Sequence, residues 1–152
     1  MLWAMLLLLF SLAMADSALP APKIQAPNLM HLARGKDSAA QIDVSVGAPF
    51  HIQANPASKK SLIPTELVIE TSSGISVKGV TYPQGAPFRL NQVAAPISVY
   101  QGEFGIGFSL NTGAAAPTGK RLVHAKLRYQ ACDEKTCFKP SEVPFDFWVE
   151  IQ

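Results

Sequence analysis

From residue 42 onward, apolar and polar positions alternate with a period of two, broken at short intervals by Gly, Pro or Asn. Such alternation marks half-buried strands separated by turns. Ile42-Asp43-Val44-Ser45-Val46 is the first run, and Phe50 to Ala54 is the second, closed by Asn55-Pro56. Thr65 to Thr71 follows, with Leu67 and Ile69 on one face, and Ile75 to Tyr82 begins after the turn Ser72-Ser73-Gly74. Phe104, Ile106, Phe108 and Leu110 face one way, against Gly105, Gly107 and Ser109 on the other. Val123, Ala125, Leu127, Tyr129 and Ala131 line one face of a long strand, whose opposite face (Leu122, His124, Lys126, Arg128) is largely polar. The last strand spans Val143 to Ile151, with Phe145, Phe147, Val149 and Ile151 on one side. Helical periodicity and internal repeats are lacking over this stretch. Seven or eight short strands with turn residues between them predict an all-β fold, an antiparallel β-sandwich whose core is filled by the apolar set of each strand.

The N-terminal region reads differently. Residues 2 to 15 carry no charge, and Ala13-Met14-Ala15 fits a small-x-small cleavage site before Asp16. The n-region has no Lys or Arg. The run is shorter than the ~20 apolar residues a membrane span needs. Residues 1–15 are therefore expected to be a signal peptide. Residues 16–40, with Pro20, Pro22 and Pro27, are expected to form an extended lead-in, and residues 41–152 one domain. Export places the mature chain in an oxidising compartment, where a disulfide persists. Apolar residues at 48%, charged residues at 16% and a net charge of +2 suit a globular domain. The basic residues are scattered, so the clustered basic face that nucleic-acid binding requires is missing.

The candidate chemistry lies in the only two cysteines, Cys132 and Cys137, at the end of the long strand. Closing a loop of about six residues stabilises by roughly 2 kcal/mol, against roughly 4 to 5 for a loop of about 100 residues. The pair is a poor staple for a domain of this size and well placed as a reversible dithiol. Two readings stay open. One is a redox-active pair; the other is a structural hairpin disulfide in a non-catalytic binding or assembly module. Other constellations are weaker. His31, His51 and His124 lack the paired spacing of a zinc site, and Met30-His31 is a slender copper candidate. Neither a metal nor an organic cofactor is expected. Ser/His/Asp sets and phosphate loops do not stand out.

The stretch Tyr129-Gln130-Ala131-Cys132 through Cys137-Phe138-Lys139-Pro140 resembles the cysteine motif of the N-terminal periplasmic domain of the thiol:disulfide interchange protein DsbD. Phe50-His51-Ile52-Gln53, Leu62 to Leu67 and Val99 to Phe104 resemble early and middle strands of the same domains. The resemblance covers roughly residues 40 to 150. It implies an immunoglobulin-like sandwich with the cysteine pair exposed at one end. It also implies a periplasmic oxidoreductase domain that relays reducing equivalents without a cofactor. The donor would be a membrane-linked thioredoxin-like protein. The acceptors would be a periplasmic disulfide isomerase or other thioredoxin-fold proteins. By position, Cys137 matches the cysteine that forms mixed disulfides, and Cys132 its resolving partner. Gln84 to Ser98 matches a cap loop, with Phe88 as the aromatic that shields the disulfide; Pro87 and Arg89 stand where family acidic residues flank it. The chain stops at Gln152, which on this resemblance makes it a free-standing carrier needing a separate donor.

Overall fold

The computed structural model describes residues 21–91 and 95–152. The expected signal peptide lies outside the described residues, as does part of the expected cap loop. The fold is all-β and its sheets are mainly antiparallel, as the alternation predicts.

The strands are β1 (Lys23–Gln25), β2 (Leu29–Leu32), β3 (Asp37–Val46), β4 (His51–Gln53), β5 (Glu66–Glu70), β6 (Ile75–Thr81), β7 (Ala86–Phe88), β8 (Ile97–Tyr100), β9 (Gly102–Thr112), β10 (Gly119–Tyr129), β11 (Ala131–Cys132) and β12 (Ser141–Ile151). Among the described residues they form three four-stranded sheets, ordered β1-β3-β9-β6, β2-β12-β10-β5 and β11-β4-β8-β7. The first two are the faces of the sandwich. Their inward side chains include Ile42, Val44, Ile106, Phe108 and Leu110 from one sheet, and Val123, Leu127, Phe147, Val149 and Ile151 from the other. Phe108 and Phe147 meet between the faces, ring centroids 5.6 Å apart. Leu32, Ile42, Ile52, Ile106, Leu110, Leu127 and Ile151 are fully buried. Each such side chain contributes about 1.5–3 kcal/mol by leaving water. That core outweighs the ~2 kcal/mol a six-residue disulfide loop could add.

The long hairpin β10/β12 forms as adjacency predicts, paired from Gly119↔Ile151 to Tyr129↔Ser141. Two features depart from the sequence reading. Residues 23–40 are not a lead-in outside the domain: β1 pairs with β3, and β2 runs parallel to β12 from Trp148↔Leu29 to Ile151↔Leu32. Met30 and Leu32 point into the core while Leu29 and His31 face out, so a four-residue alternation was present but hidden among prolines. The second departure is at Tyr129. The strand expected to run through Ala131 ends there, and the chain steps across to a different sheet, where Ala131 pairs with Ile52 and Cys132 with His51.

That third sheet closes one end of the sandwich. It follows the end of β3, precedes the start of β9, and extends from the end of β10 next to the start of β12. Its strands are short, and all three residues of β4 are buried. β11 carries Cys132, and Cys137 is bridged to it just outside the strands.

Candidate functional site

Cys132 and Cys137 are joined as a disulfide, with Cα atoms 4.0 Å apart. The loop between them is held by the backbone as well as by sulfur. Asp133 N–H donates to the Thr136 carbonyl at 3.0 Å, and Phe138 N–H donates to the Ala131 carbonyl at 2.8 Å. The Asp133 carboxylate accepts from the amides of Lys135 (2.7 Å) and Thr136 (2.8 Å). Asp is suited to this place because its short side chain bonds the backbone two and three residues on. The amides of Thr136 and then Lys135 hold the Asp133 carboxyl below its ordinary pKa.

Upstream, Gln130 fixes the crossing from β10 to β11. Its carbonyl accepts from Gln53 N–H, its side-chain oxygen accepts from Ile63 N–H at 2.9 Å, and its side-chain nitrogen donates to the Phe138 carbonyl at 3.1 Å. Phe138 packs edge-on against Phe50, centroids 6.2 Å apart.

The two cysteines are unequal in burial. Cys132 is fully buried, whereas Cys137 is partly exposed. Under them lies Gln53, itself fully buried. Its amide nitrogen donates to Cys132 Sγ at 3.0 Å and reaches Cys137 Sγ at 3.7 Å. Disulfide sulfurs only accept, so the nitrogen end of the amide must face them. The Gln53 backbone is fixed on both sides: its carbonyl accepts from Thr65 N–H at 3.2 Å and from the Thr65 hydroxyl at 2.6 Å. The donor is thereby held in place.

His51, two residues earlier on the same face of β4, is also fully buried. Neither of its ring nitrogens, nor Gln53 Oε1, has a hydrogen-bond partner among the described residues. Leaving such a group unsatisfied costs about 1–3 kcal/mol, so two orphans beside one disulfide are unusual. Burial lowers the His51 pKa, and the nearby Asp133 charge opposes that shift.

Phe88 ends β7 and stacks on the His51 ring, centroids 3.9 Å apart and planes tilted by 38°. β7 is carried by β8 in the register Phe88↔Ile97 to Ala86↔Val99. Gly85, just ahead of β7, has no room for a side chain: a Cβ there would collide with Ser98 and Ala54. Asn91 N–H also reaches the Glu134 carbonyl at 3.5 Å, so this segment touches the disulfide loop directly. An open groove of about 510 Å³ runs between Pro49, Phe50, Phe88, Gln101 and Glu134.

Of the residues singled out from sequence, the structure brings Cys132, Cys137 and Phe88 to one end of the molecule. His51 belongs to that end, but the other histidines do not. His31 pairs with Glu150 at 3.3 Å and His124 with Asp146 at 2.7 Å, both exposed on the sheet containing β12. Gln53, Gln130 and Asp133 were not foreseen as site residues. The signal for Gln53 was the His51-x-Gln53 spacing, which puts two polar side chains on the same face of a short strand.

No family model matches the chain, and no curated protein matches it. Among solved structures, a family 123 glycoside hydrolase from Clostridium perfringens is 13% identical, with a TM-score of 0.36 over 82% of this chain and 23% of that one. The chain thus spans under a quarter of that enzyme, and a likeness this slight bears on neither fold detail nor activity.

Proposed function

We propose that the domain is a thiol:disulfide relay of the DsbD N-terminal type, an exported oxidoreductase passing reducing equivalents through a reversible Cys132–Cys137 disulfide. The observation that carries this reading is the unequal burial of the two cysteines over a fixed amide. The partly exposed Cys137 is the atom a partner can attack, and the buried Cys132 is the leaving and resolving sulfur. Attack at Cys137 leaves the electron pair on Cys132 Sγ, where Gln53 already donates. Hydrogen bonds to a charged group are worth about 1.5–3 kcal/mol, roughly twice the neutral kind. The site is thus built around the thiolate more than around the disulfide.

The hydrogen bonds within the 132–138 turn also favour the relay over a staple. They hold the loop without the sulfur bond, so the fold has little to lose on reduction. Phe88, over His51 and beside the groove, acts on this reading as the shield that keeps small thiols from the pair. A thioredoxin-fold donor and thioredoxin-fold acceptors in the periplasm, and an immunoglobulin-like strand arrangement, complete the reading.

The test is the reduction potential of the folded mature domain, measured by dithiothreitol and glutathione titration with thiol trapping, while circular dichroism follows the fold. A relay has a potential between those of thioredoxin and the oxidising periplasmic proteins, with the fold kept in both states. A potential well below about −300 mV, in the range of structural disulfides, or reduction only on unfolding, leaves a stapled binding module instead.

A further inference from the structure

We infer that His51 is the proton partner of Cys132, taking up the proton that this sulfur sheds and returning it as the disulfide closes and opens. The inference rests on the relay reading above. His51 and Cys132 are direct partners in register across β4 and β11, so their side chains leave the sheet on the same side. Gln53 leaves it on that side too, and its amide already reaches Cys132 Sγ.

The ring is buried, its nitrogens have no partner among the described residues, and Phe88 occupies a face of it. Stacking uses the ring face and leaves the nitrogens, which lie in the ring plane, free to bond. In the oxidised state the neighbouring sulfur carries no proton and is a weak acceptor. A proper partner for His51 exists only after reduction. A Cys132 thiol can then donate to the ring, or a Cys132 thiolate can accept from it. The orphaned ring is thereby explained as one half of a pair that the disulfide keeps apart.

Among the described residues, few groups face His51. Cys132 and Asp133 come from the β11 side, and Phe88 from β7. From β8, Tyr100 stands opposite Ile52 and its hydroxyl is engaged by the Pro83 carbonyl and the Asn55 amide. Asp133 is the charge that acts on the ring, and its carboxylate is held by two backbone amides. Desolvation outweighs it, so the ring is mostly neutral near pH 7, the form that takes up a proton, and it gives one back from the minor protonated form.

A donor dithiol loses one proton to solvent, and its thiolate attacks Cys137 Sγ. A bond forms between donor sulfur and Cys137, the Cys132–Cys137 bond breaks, and the electron pair stays on Cys132. His51, having taken a proton from solvent, delivers it to Cys132 and returns to the neutral ring. The donor's second thiol then loses its proton to solvent, and its thiolate attacks the donor sulfur of the mixed disulfide and releases Cys137, which takes a proton from solvent. The donor ends as a disulfide and the domain as a dithiol, two electrons and two protons having moved. In the forward relay, Cys137 loses its proton to solvent and its thiolate attacks an acceptor disulfide, whose leaving sulfur takes a proton from solvent. Cys132 gives its proton to His51, which passes it to solvent, and the Cys132 thiolate attacks Cys137 and releases the acceptor's second sulfur, which also takes a proton.

The experiment measures the rate of reduction of Cys132–Cys137 by dithiothreitol from pH 4 to 9 in the mature domain, corrected for the thiolate fraction of the reagent. Wild type is compared with His51→Phe and His51→Asn. Wild type is expected to show an inflection below pH 6.5 that both variants lose, with a drop of about a hundredfold at pH 7, the low end for a positioned proton-transfer group. Equal rates, or a uniform drop with an unchanged pH profile, overturn the inference. A measurement without substitution accompanies it: the His51 pKa by NMR in oxidised and reduced protein. A redox-dependent shift supports the coupling, and an identical value in both states refutes it. If wild-type disulfide resists dithiothreitol until the fold is lost, the relay reading itself fails. If it is reduced in the folded domain and the His51 results are negative, only the role of His51 falls.

Discussion

Gln53→Leu separates what the buried amide does for chemistry from what it does for stability. The substitution keeps the volume close and removes both ends of the amide. The nitrogen end gives up its 3.0 Å bond to Cys132 Sγ. In the oxidised protein that acceptor is a neutral sulfur, and the bond is worth about 0.5–1.5 kcal/mol at most. The oxygen end is an orphan, and its removal relieves about 1–3 kcal/mol of unsatisfied burial. The oxidised domain should therefore be as stable as wild type, or slightly more so, in urea unfolding.

The reduced domain responds in the opposite direction. A Cys132 thiolate loses a charge-assisted bond worth about 1.5–3 kcal/mol, which at 1.36 kcal/mol per pKa unit raises its pKa by about 1–2 units. Under conditions where Cys132 is ionised, the same loss makes the potential about 30–60 mV more negative. The assay is thiolate absorbance against pH in the reduced variant, paired with urea denaturation of the oxidised one. An unmoved thiolate pKa together with a stability loss above about 3 kcal/mol would place Gln53 in the packing alone, since that is the cost of a core defect.

Phe88→Ala should lower stability by about 1–2 kcal/mol for a half-buried ring while raising the rate of reduction by glutathione several-fold; a rate equal to wild type would remove the shielding role. Gly85→Val drives a side chain into Ser98 and Ala54, so it should cost about 1–3 kcal/mol as overpacking and mimic Phe88→Ala in the glutathione assay. The folded domain should also lose stability in acid. The His51 pKa is lowered from 6.5 and that of Asp133 from 3.8, so the unfolded chain binds protons first. Stability then falls as pH drops below about 6.5, and again below about 3.8. Urea midpoints from pH 8 to 3 check this, and a midpoint that rises on acidification contradicts it.

The large strands were legible because each shows one apolar face at period two. Ile42 to Val46, Phe104 to Leu110, Val123 to Tyr129 and Phe145 to Ile151 all bury the face their alternation indicates. The cysteine pair was equally visible. What stayed hidden was pairing between segments distant in sequence. β2 is four residues long and flanked by proline and glycine, and its parallel partner lies at the other end of the chain. The break at Gln130 was also invisible, because Ala131 continues the apolar alternation of β10 while its backbone joins another sheet. Gln53 escaped notice, and His51 was weighed only as a metal ligand, for a related reason. Polar residues on a short strand look like a solvent face until both sides of that strand are covered.

The sheet that carries the disulfide is made of strands of two to four residues, while β3, β9, β10 and β12 have ten or eleven. Cooperative opening follows the number of backbone bonds and buried contacts broken together. The molecule is therefore graded mechanically, with a sturdy chassis and a light end-piece that can part from it at a fraction of the global unfolding energy. On the relay reading proposed above, a partner that attacks Cys137 need not fight the whole sandwich to reach it. It has only to win against β7 and its neighbours, and the chassis keeps the register to which they return.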